Sequence, residues 1–208
     1  MSSKHAFRPV RLTPLEDRVV PSAAVHNVPA LVASPTPGVS AAATPTSRLD
    51  ALRSEVDFLK GMIPHHEMAV RMAQIESRYG SDTQAVGLAR RIISEQTPEI
   101  QRMQSWLYSG FGIRNFRPQM TADDMKMLGD LGALRGNALD RAFLTDMIMH
   151  HQDAIDGNGM MTGARAELGT AIHPSLRQLC ANIVTSQSAE IKEMQSLLGP
   201  PGGGVMGG

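Results

Sequence analysis

The spacing of apolar residues along the chain predicts a series of amphipathic helices. At roughly 100° per residue in a helix, Phe58, Met62 and Ala69 lie on the same side as His65, and Lys60 lies on the opposite side. The same division into an apolar arc and a polar arc recurs in three later stretches of the chain. The four predicted helices cover residues 50–77, 83–109, 138–166 and 174–198.

Local signals refine these helices. Thr121 and Asp124 have the spacing of a capping box, in which each side chain bonds the other residue's backbone N–H, so a short extra helix is expected from Thr121. Pro64 removes one helical hydrogen bond and predicts a kink. Thr97 and Pro98 have two interpretations, because Pro98 is either interior to the second helix or the first residue of a new one.

Two blocks of sequence occur twice, in the same order. "FLKGMIPHH" begins at Phe58 and "FLTDMIMHH" at Phe143, whereas "IISEQTPEIQRMQSWL" begins at Ile92 and "IVTSQSAEIKEMQSLL" at Ile183. Internal similarity of this kind indicates duplication of one unit, which is here a hairpin of two helices. Two repeated hairpins predict an all-α protein with a four-helix bundle.

The two ends of the chain differ in composition from the helical region. Residues 22–46 are rich in Ala, Pro, Ser, Thr and Val, and prolines at this density exclude a long helix. We therefore expect a flexible leader over residues 1–48, the bundle over 49–199 and a disordered Gly-rich tail over 200–208. The leader segment "RLTPLEDRVVPSA" resembles an N-terminal segment of exported bacterial proteins, which implies an extracytoplasmic location (periplasm or secreted). The alternative is that residues 1–48 are a disordered tail with no part in export.

Charge and cysteine content exclude several classes of protein. The 20 basic and 20 acidic residues give a formal net charge of zero, so charge provides no reason to expect nucleic acid or an anionic membrane as a partner. No apolar run reaches the roughly 18 residues of a membrane-spanning helix. The single cysteine, Cys180, excludes an internal disulfide and a cysteine-based zinc cluster. We expect it to be buried in a structural role, and a thiolate ligand for Cu(I) is the alternative.

Two pairs of adjacent histidines are the main candidates for a functional site. His65 and His66 correspond by repeat to His150 and His151, and both pairs fall on the apolar side of their helices. Burying four imidazoles without partners would cost roughly 1–3 kcal/mol each, which favours metal ligands over a purely structural role. Imidazole and thioether donors suit copper, Cu(I) above Cu(II), with other transition metals as alternatives. The candidate metal ligands are His65, His66, Met62, Met68, Met72, His150, His151, Met147, Met161, Met103 and Met194.

The 14 methionines of the chain have two interpretations. Met62 and Met68 are each three residues from His65, a spacing that makes side chains neighbours on a helix surface. A methionine stripe at helical spacing is also typical of core packing. Core packing is therefore the alternative for these residues, and for Met103 and Met194 in particular.

Other polar residues on these helices have expected roles. Gln96 and Gln187 point inward, so their amides either hydrogen-bond a histidine and fix its tautomer or satisfy other buried polar groups. Glu99 and Glu190 lie at the edge of that face, where pairing with cations on the helix surface is the commoner outcome. The remaining histidines are expected to face solvent, and they are His5, His26 and His173.

Motifs of other metal enzymes do not occur. A di-iron carboxylate bundle needs a glutamate three residues before the histidine, but Met62 and Met147 occupy those positions. The sequence contains no His-Glu-x-x-His zinc motif and no Gly-rich phosphate loop. Since no nucleophile, base and acid form a recognisable set, the pattern favours a binding protein over an enzyme.

The repeated motifs resemble those of a bacterial family, the domain-of-unknown-function 305 family. The resemblance rests on "FLKGMIPHHEMAVRMA", "FLTDMIMHHQDAI" and the two Q-x-x-E-I-x-x-M segments that begin at Gln96 and Gln187, and it extends over residues 50–198. It implies a ferritin-type bundle, often exported, with some members binding copper through histidine and methionine. By position it implicates Met62, His65, His66, Met147, His150 and His151. The chain differs from the common pattern in having Glu67-Met68 and Gln152-Asp153 after the histidines and Met149 in place of proline.

Three functions are compatible with these patterns. The first is a protein that buffers or sequesters copper outside the cytoplasm, with a metal ion as its partner. The second is a redox or oxygen-using metalloenzyme on the same bundle, and the third is a structural or interaction bundle without metal. Self-association into a homo-oligomer is compatible with all three.

Overall fold

The computed structural model describes residues 45–199, and within that range every regular element is a helix. The elements are α1 (Pro45–Tyr79), α2 (Thr83–Ser105), a π-helical turn (Trp106–Gly110), α3 (Ala122–Ala133), α4 (Gly136–Asp156), α5 (Ala164–Thr170) and α6 (Pro174–Leu198). The all-α prediction is confirmed. The expected leader, apart from its last residues, and the expected tail lie outside the described residues.

Helices α2 and α3 begin at a residue whose side chain caps the first turn. Asp82 accepts hydrogen bonds from the backbone N–H groups of Gln84 and Ala85 at 2.8 and 2.9 Å, which starts α2. The predicted capping box of α3 is present: Thr121 N donates to Asp124 Oδ2 at 2.7 Å, and Asp124 N donates to Thr121 Oγ1 at 3.1 Å.

Two predicted helix boundaries require correction, and the two interpretations of Pro98 are resolved. Helix α1 begins at Pro45, within the predicted leader, and it continues unbroken through Pro64. Helix α2 likewise contains Pro98 in its interior, so the second helix is not split there. Helix α4 ends at Asp156 instead of residue 166, because Gly157 takes a φ of 84° that ends the helix, and the chain folds back before α5.

The four long helices pack as two hairpins. Helix α1 packs chiefly on α2 and α4 chiefly on α6, and the hairpins meet mainly between α1 and α4. This is the pairing that the sequence repeat predicts. None of the helices from Pro45 to Leu198 has both the length and the apolar character needed to cross a membrane.

The bundle interior consists of two apolar clusters. The first, called here the Met62 core, contains Phe58, Leu59, Met62, Ile63, Met103, Leu107, Ala154, Leu176, Leu179, Cys180 and Ile183. The second, called here the Met147 core, contains Met68, Met72, Leu88, Ile92, Leu139, Phe143, Leu144, Met147, Ile191 and Met194. On α1, α2 and α6, polar residues separate positions of one cluster from positions of the other, and on α4 His150 and His151 lie between Met147 of one cluster and Ala154 of the other. We call this set the polar layer, and it consists of His65, His66, Gln96, Glu99, His150, His151, Gln187 and Glu190.

Candidate metal site

The histidine pairs of α1 and α4 meet at the middle of the polar layer. The rings of His65 and His150, equivalent residues of the two repeats, are 3.7 Å apart between centroids, with their planes inclined by 33°. Both side chains are half-buried. The structure therefore brings together the two pairs that the sequence predicts as candidate ligands.

The second histidine of each pair is fully buried and contacts a carboxylate. His66 Nε2 lies 3.1 Å from Glu99 Oε2, and His151 Nε2 lies 2.8 Å from Glu190 Oε2. Each glutamate comes from the other helix of the same hairpin. The expectation that Glu99 and Glu190 pair with surface cations is therefore wrong. Their recurrence at the same distance after Gln96 and Gln187 in both repeats is the signal that would have identified them.

Several nitrogen and oxygen atoms of the layer are buried without a hydrogen-bond partner among the described residues. They are the Nδ1 atoms of His65, His66, His150 and His151, together with Nε2 of His150, both amide atoms of Gln96, Oε1 of Gln187 and Oε1 of Glu190. The alternative in which the amides of Gln96 and Gln187 bond to the histidines is thus not realised. Unmet buried polar atoms of this kind cost free energy in the folded protein.

Burial controls protonation in the layer. It lowers the pKa of His65 and His150 well below the usual range, and the neighbouring histidines lower both further. Burial, followed by the charge of His66, lowers the pKa of His151 to about 3. Burial raises the pKa of Glu190 to about 7. These three imidazoles are therefore neutral at neutral pH, which leaves a nitrogen lone pair that can bind a metal ion.

The predicted methionine ligands flank the layer on both sides. Of the seven, six are fully or almost fully buried and one, Met161, is half-buried. The Met62 core includes Met62 and Met103, and Met161 packs against that core beside Gly61. The Met147 core includes Met68, Met72, Met147 and Met194. All of them are packed in a core or against one, in agreement with the alternative interpretation.

His173 and Cys180 lie away from the histidine layer. His173 is partly exposed to solvent, in line with the expectation, and its Nδ1 also contacts the fully buried carboxylate of Glu55. Glu55 Oε1 also accepts the backbone N–H groups of Ile172 and His173, at 2.7 and 2.8 Å. Cys180 is buried as expected, and burial followed by the charge of Glu167 raises the pKa of its thiol to about 12. His5 and His26 lie outside the described residues.

No three or more His, Cys, Asp or Glu side chains between residues 45 and 199 are already grouped so as to hold a metal ion. The contacts present in the polar layer are the two glutamate–histidine pairs and the ring contact between His65 and His150.

The internal repeat, the all-helical fold and the paired histidines define a class of duplicated helical-hairpin proteins. The chain belongs to the family described as "Domain of unknown function (DUF305)", whose family model matches residues 25–107 and 114–198. The two matched stretches correspond to the two repeats, and the resemblance drawn from the sequence is confirmed. No curated protein sequence matches the chain.

Solved structures of other proteins share the fold. CopM in its Cu(I)-bound form is 31% identical, with a TM-score of 0.58 over 69% of this chain and 94% of CopM. CopM in its Cu(II)-bound form is 30% identical, with a TM-score of 0.60 over 69% and 95%. A DUF305 fragment from Deinococcus radiodurans is 25% identical, with a TM-score of 0.59 over 70% and 95%.

Proposed function

We propose that the protein binds copper through the imidazoles of the polar layer and the thioethers beside them, and that it buffers or sequesters the metal outside the cytoplasm. The observation that carries the proposal is the meeting of two repeat-related histidine pairs whose buried Nδ1 atoms have no partner. The similarity to CopM, which has been solved with Cu(I), Cu(II) and Ag, supports the choice of metal.

The donor atoms favour Cu(I) over Cu(II). Thioether sulfur is a soft ligand and imidazole nitrogen is intermediate, a combination that suits Cu(I). Met62 and Met68 lie on α1 within one turn of His65, and Met147 precedes His150 by the same spacing. Neutral imidazoles in a low-polarity environment also need no proton release when a metal ion binds them. The oxidation state is part of this proposal.

The first test is replacement of the histidines. The variant with His65, His66, His150 and His151 all changed to Ala should lose Cu(I) binding in a titration against a competing chelator. Two double variants change one pair each to Ala, either His65 with His66 or His150 with His151. If the two repeats form separate sites, each double variant should lose a comparable share of the bound copper. If they share one site, either double variant should lose most of it. Unchanged affinity and stoichiometry in the quadruple variant, with helix content intact by circular dichroism, would contradict the proposal and favour a metal-free bundle.

The second test separates ligation from packing. Met62→Leu and Met147→Leu conserve size and apolarity, so each should cost less than about 1.5 kcal/mol of stability. If the thioethers are ligands, each variant should nevertheless weaken Cu(I) binding. Met160→Leu is the matched control, because Met160 is 87% exposed and outside both cores. Equal Cu(I) affinity in all three variants would exclude Met62 and Met147 from the ligand set.

Location is the remaining part of the proposal, and it rests on the leader segment "RLTPLEDRVVPSA". Residues 1–48 fused to a reporter that is active only after export should direct that reporter out of the cytoplasm. A reporter that stays in the cytosol would refute the extracytoplasmic location while leaving copper binding to be judged by the titrations.

A further inference from the structure

Glu99 and Glu190 occupy equivalent positions in the two repeats and contact equivalent atoms. Each carboxylate oxygen Oε2 lies within hydrogen-bond distance of the Nε2 of a fully buried histidine, at 3.1 Å for His66 and 2.8 Å for His151. Their own side chains are only 16% and 10% exposed, so little water competes for these contacts. The same contact occurs in both repeats, which indicates that it is a defined structural feature of the polar layer.

We infer that Glu99 and Glu190 are positioning residues, which hold His66 and His151 as the Nε2–H tautomer and so make Nδ1 the atom offered to a metal ion. The part of this inference that concerns metal rests on the proposed function. The part that concerns the tautomer does not.

The donors and acceptors of the two groups determine the tautomer. A neutral imidazole has one N–H donor and one lone pair, and an ionised carboxylate only accepts. A carboxylate facing Nε2 therefore requires the proton on Nε2, which leaves the lone pair on Nδ1. The Nδ1 atoms of His66 and His151 are both buried without a partner. The opposite tautomer would bury two unpaired N–H groups and set two lone pairs against carboxylates, and both arrangements cost free energy.

The amides of the layer do not provide this orientation. Both amide atoms of Gln96 are without a partner, and so is the amide oxygen of Gln187. Histidines that bind metals commonly donate their second ring N–H to a carboxylate, which fixes the ring and raises its basicity. The glutamates of this chain have the geometry for that role.

The tautomer is tested on the unsubstituted protein without metal. Nitrogen-15 NMR of the imidazoles, recorded over a series of neutral and alkaline pH values, should give a protonated Nε2 and an unprotonated Nδ1 for both His66 and His151 wherever the facing carboxyl group is ionised. A protonated Nδ1 on these residues would overturn the inference without any reference to copper.

Variants test the consequence for binding. Glu99→Leu and Glu190→Leu should each lose the single tautomer of the facing histidine and weaken Cu(I) binding roughly 10- to 100-fold. Glu193→Leu is the control, because Glu193 lies one turn beyond Glu190 on α6 and pairs with exposed Arg91 instead of a histidine. Cu(I) affinity equal to that of the control, with helix content intact, would overturn the inference.

The outcomes separate the two proposals. Failure of the unsubstituted protein to bind Cu(I) overturns the proposed function, and the metal-related part of this inference with it. Copper binding together with an Nδ1–H tautomer overturns the inference alone.

Discussion

Glu76, in the last turn of α1, is a fully buried carboxyl group that faces a second carboxyl group on α4, that of Asp140. Asp140 accepts hydrogen bonds from Ser81 N at 2.8 Å, Ser81 Oγ at 2.6 Å and Asp82 N at 3.0 Å. Burial would raise the pKa of Asp140, but these hydrogen bonds keep it below its usual value. Burial, then the hydrogen bond and charge of Asp140, raise the pKa of Glu76 to about 8. Glu76 is therefore protonated at neutral pH.

This residue predicts a loss of stability at alkaline pH. A carboxyl group whose pKa is raised in the folded protein binds more protons there than in the unfolded chain. Its contribution is complete below the ordinary value of 4.5 and is lost as the pH rises through about 8. Glu76→Gln replaces the protonated carboxyl with a neutral amide, so its free energy of unfolding should fall less between these two pH values than that of the unsubstituted protein.

Urea unfolding at a series of pH values measures the effect. Glu193→Gln, at an exposed glutamate of α6, is the control and should keep the pH dependence of the unsubstituted chain. A Glu76→Gln variant with the same pH dependence as this control would refute the assignment of the proton to Glu76.

At the scale of elements, the segment between α4 and α5 is the most constrained by its backbone. Gly157 has a φ of 84°, and an added Cβ on Gly163 would lie 2.3 Å from the backbone atoms Asp156 C and Gly157 N. Gly157 also forms an isolated bridge with Thr162. This close approach reverses the chain and brings the Met161 side chain against Gly61 of α1.

Gly163→Ala should therefore be strongly destabilising. The clash is with backbone and cannot be relieved by a side-chain rotation, so we expect a loss of about 2–3 kcal/mol in the free energy of unfolding. The contrasting variant is Gly87→Ala within α2, where a Cβ meets nothing within 4 Å. It should gain about 0.5–1 kcal/mol from helix propensity. Denaturant unfolding of both variants measures these values, and a neutral Gly163→Ala would show that the turn adapts.

At the scale of the whole molecule, the polar layer interrupts an otherwise apolar interior. Its unpartnered nitrogen and oxygen atoms weaken the protein without metal, and a ligand that binds only the folded state would restore stability by mass action. Under the proposed function, the layer lowers the stability of the protein without metal and recovers it when copper binds.

Copper should consequently raise the melting temperature. At a free Cu(I) concentration of about 100 times Kd, the gain is roughly 2.7 kcal/mol, or about 5–10 °C for a protein of this size. A quadruple leucine variant replaces both partners of each glutamate–histidine contact by apolar groups, which can be nearly neutral for stability. Its substitutions are His66→Leu, Glu99→Leu, His151→Leu and Glu190→Leu. It should melt near the temperature of the unsubstituted protein without metal and show a smaller shift with copper. Scanning calorimetry decides this, and an equal shift in both proteins would mean that copper binds elsewhere.

The sequence by itself determined the helices of this protein and their pairing into hairpins. Helix periodicity and capping are encoded over a few neighbouring residues, and the duplication is visible as repeated blocks. The apolar arc around His65, the capping box of Thr121 and Asp124, and the repeated blocks are sufficient to predict the main helices and their pairing into hairpins. They also predict that both histidine pairs face inward.

Tertiary structure decided which inward-facing groups touch. Gln96 and Glu99 are three residues apart, less than one turn of α2, and each has a side chain long enough to reach a neighbouring helix. Only the rotation and axial position of α2 against α1 selected Glu99 as the partner of His66, and the same holds for Glu190 and His151. The contact of His173 with Glu55 depends likewise on packing between residues far apart in the chain. Periodicity encodes the face on which a residue lies, whereas the register between helices, set by the fit of both cores, determines its partner.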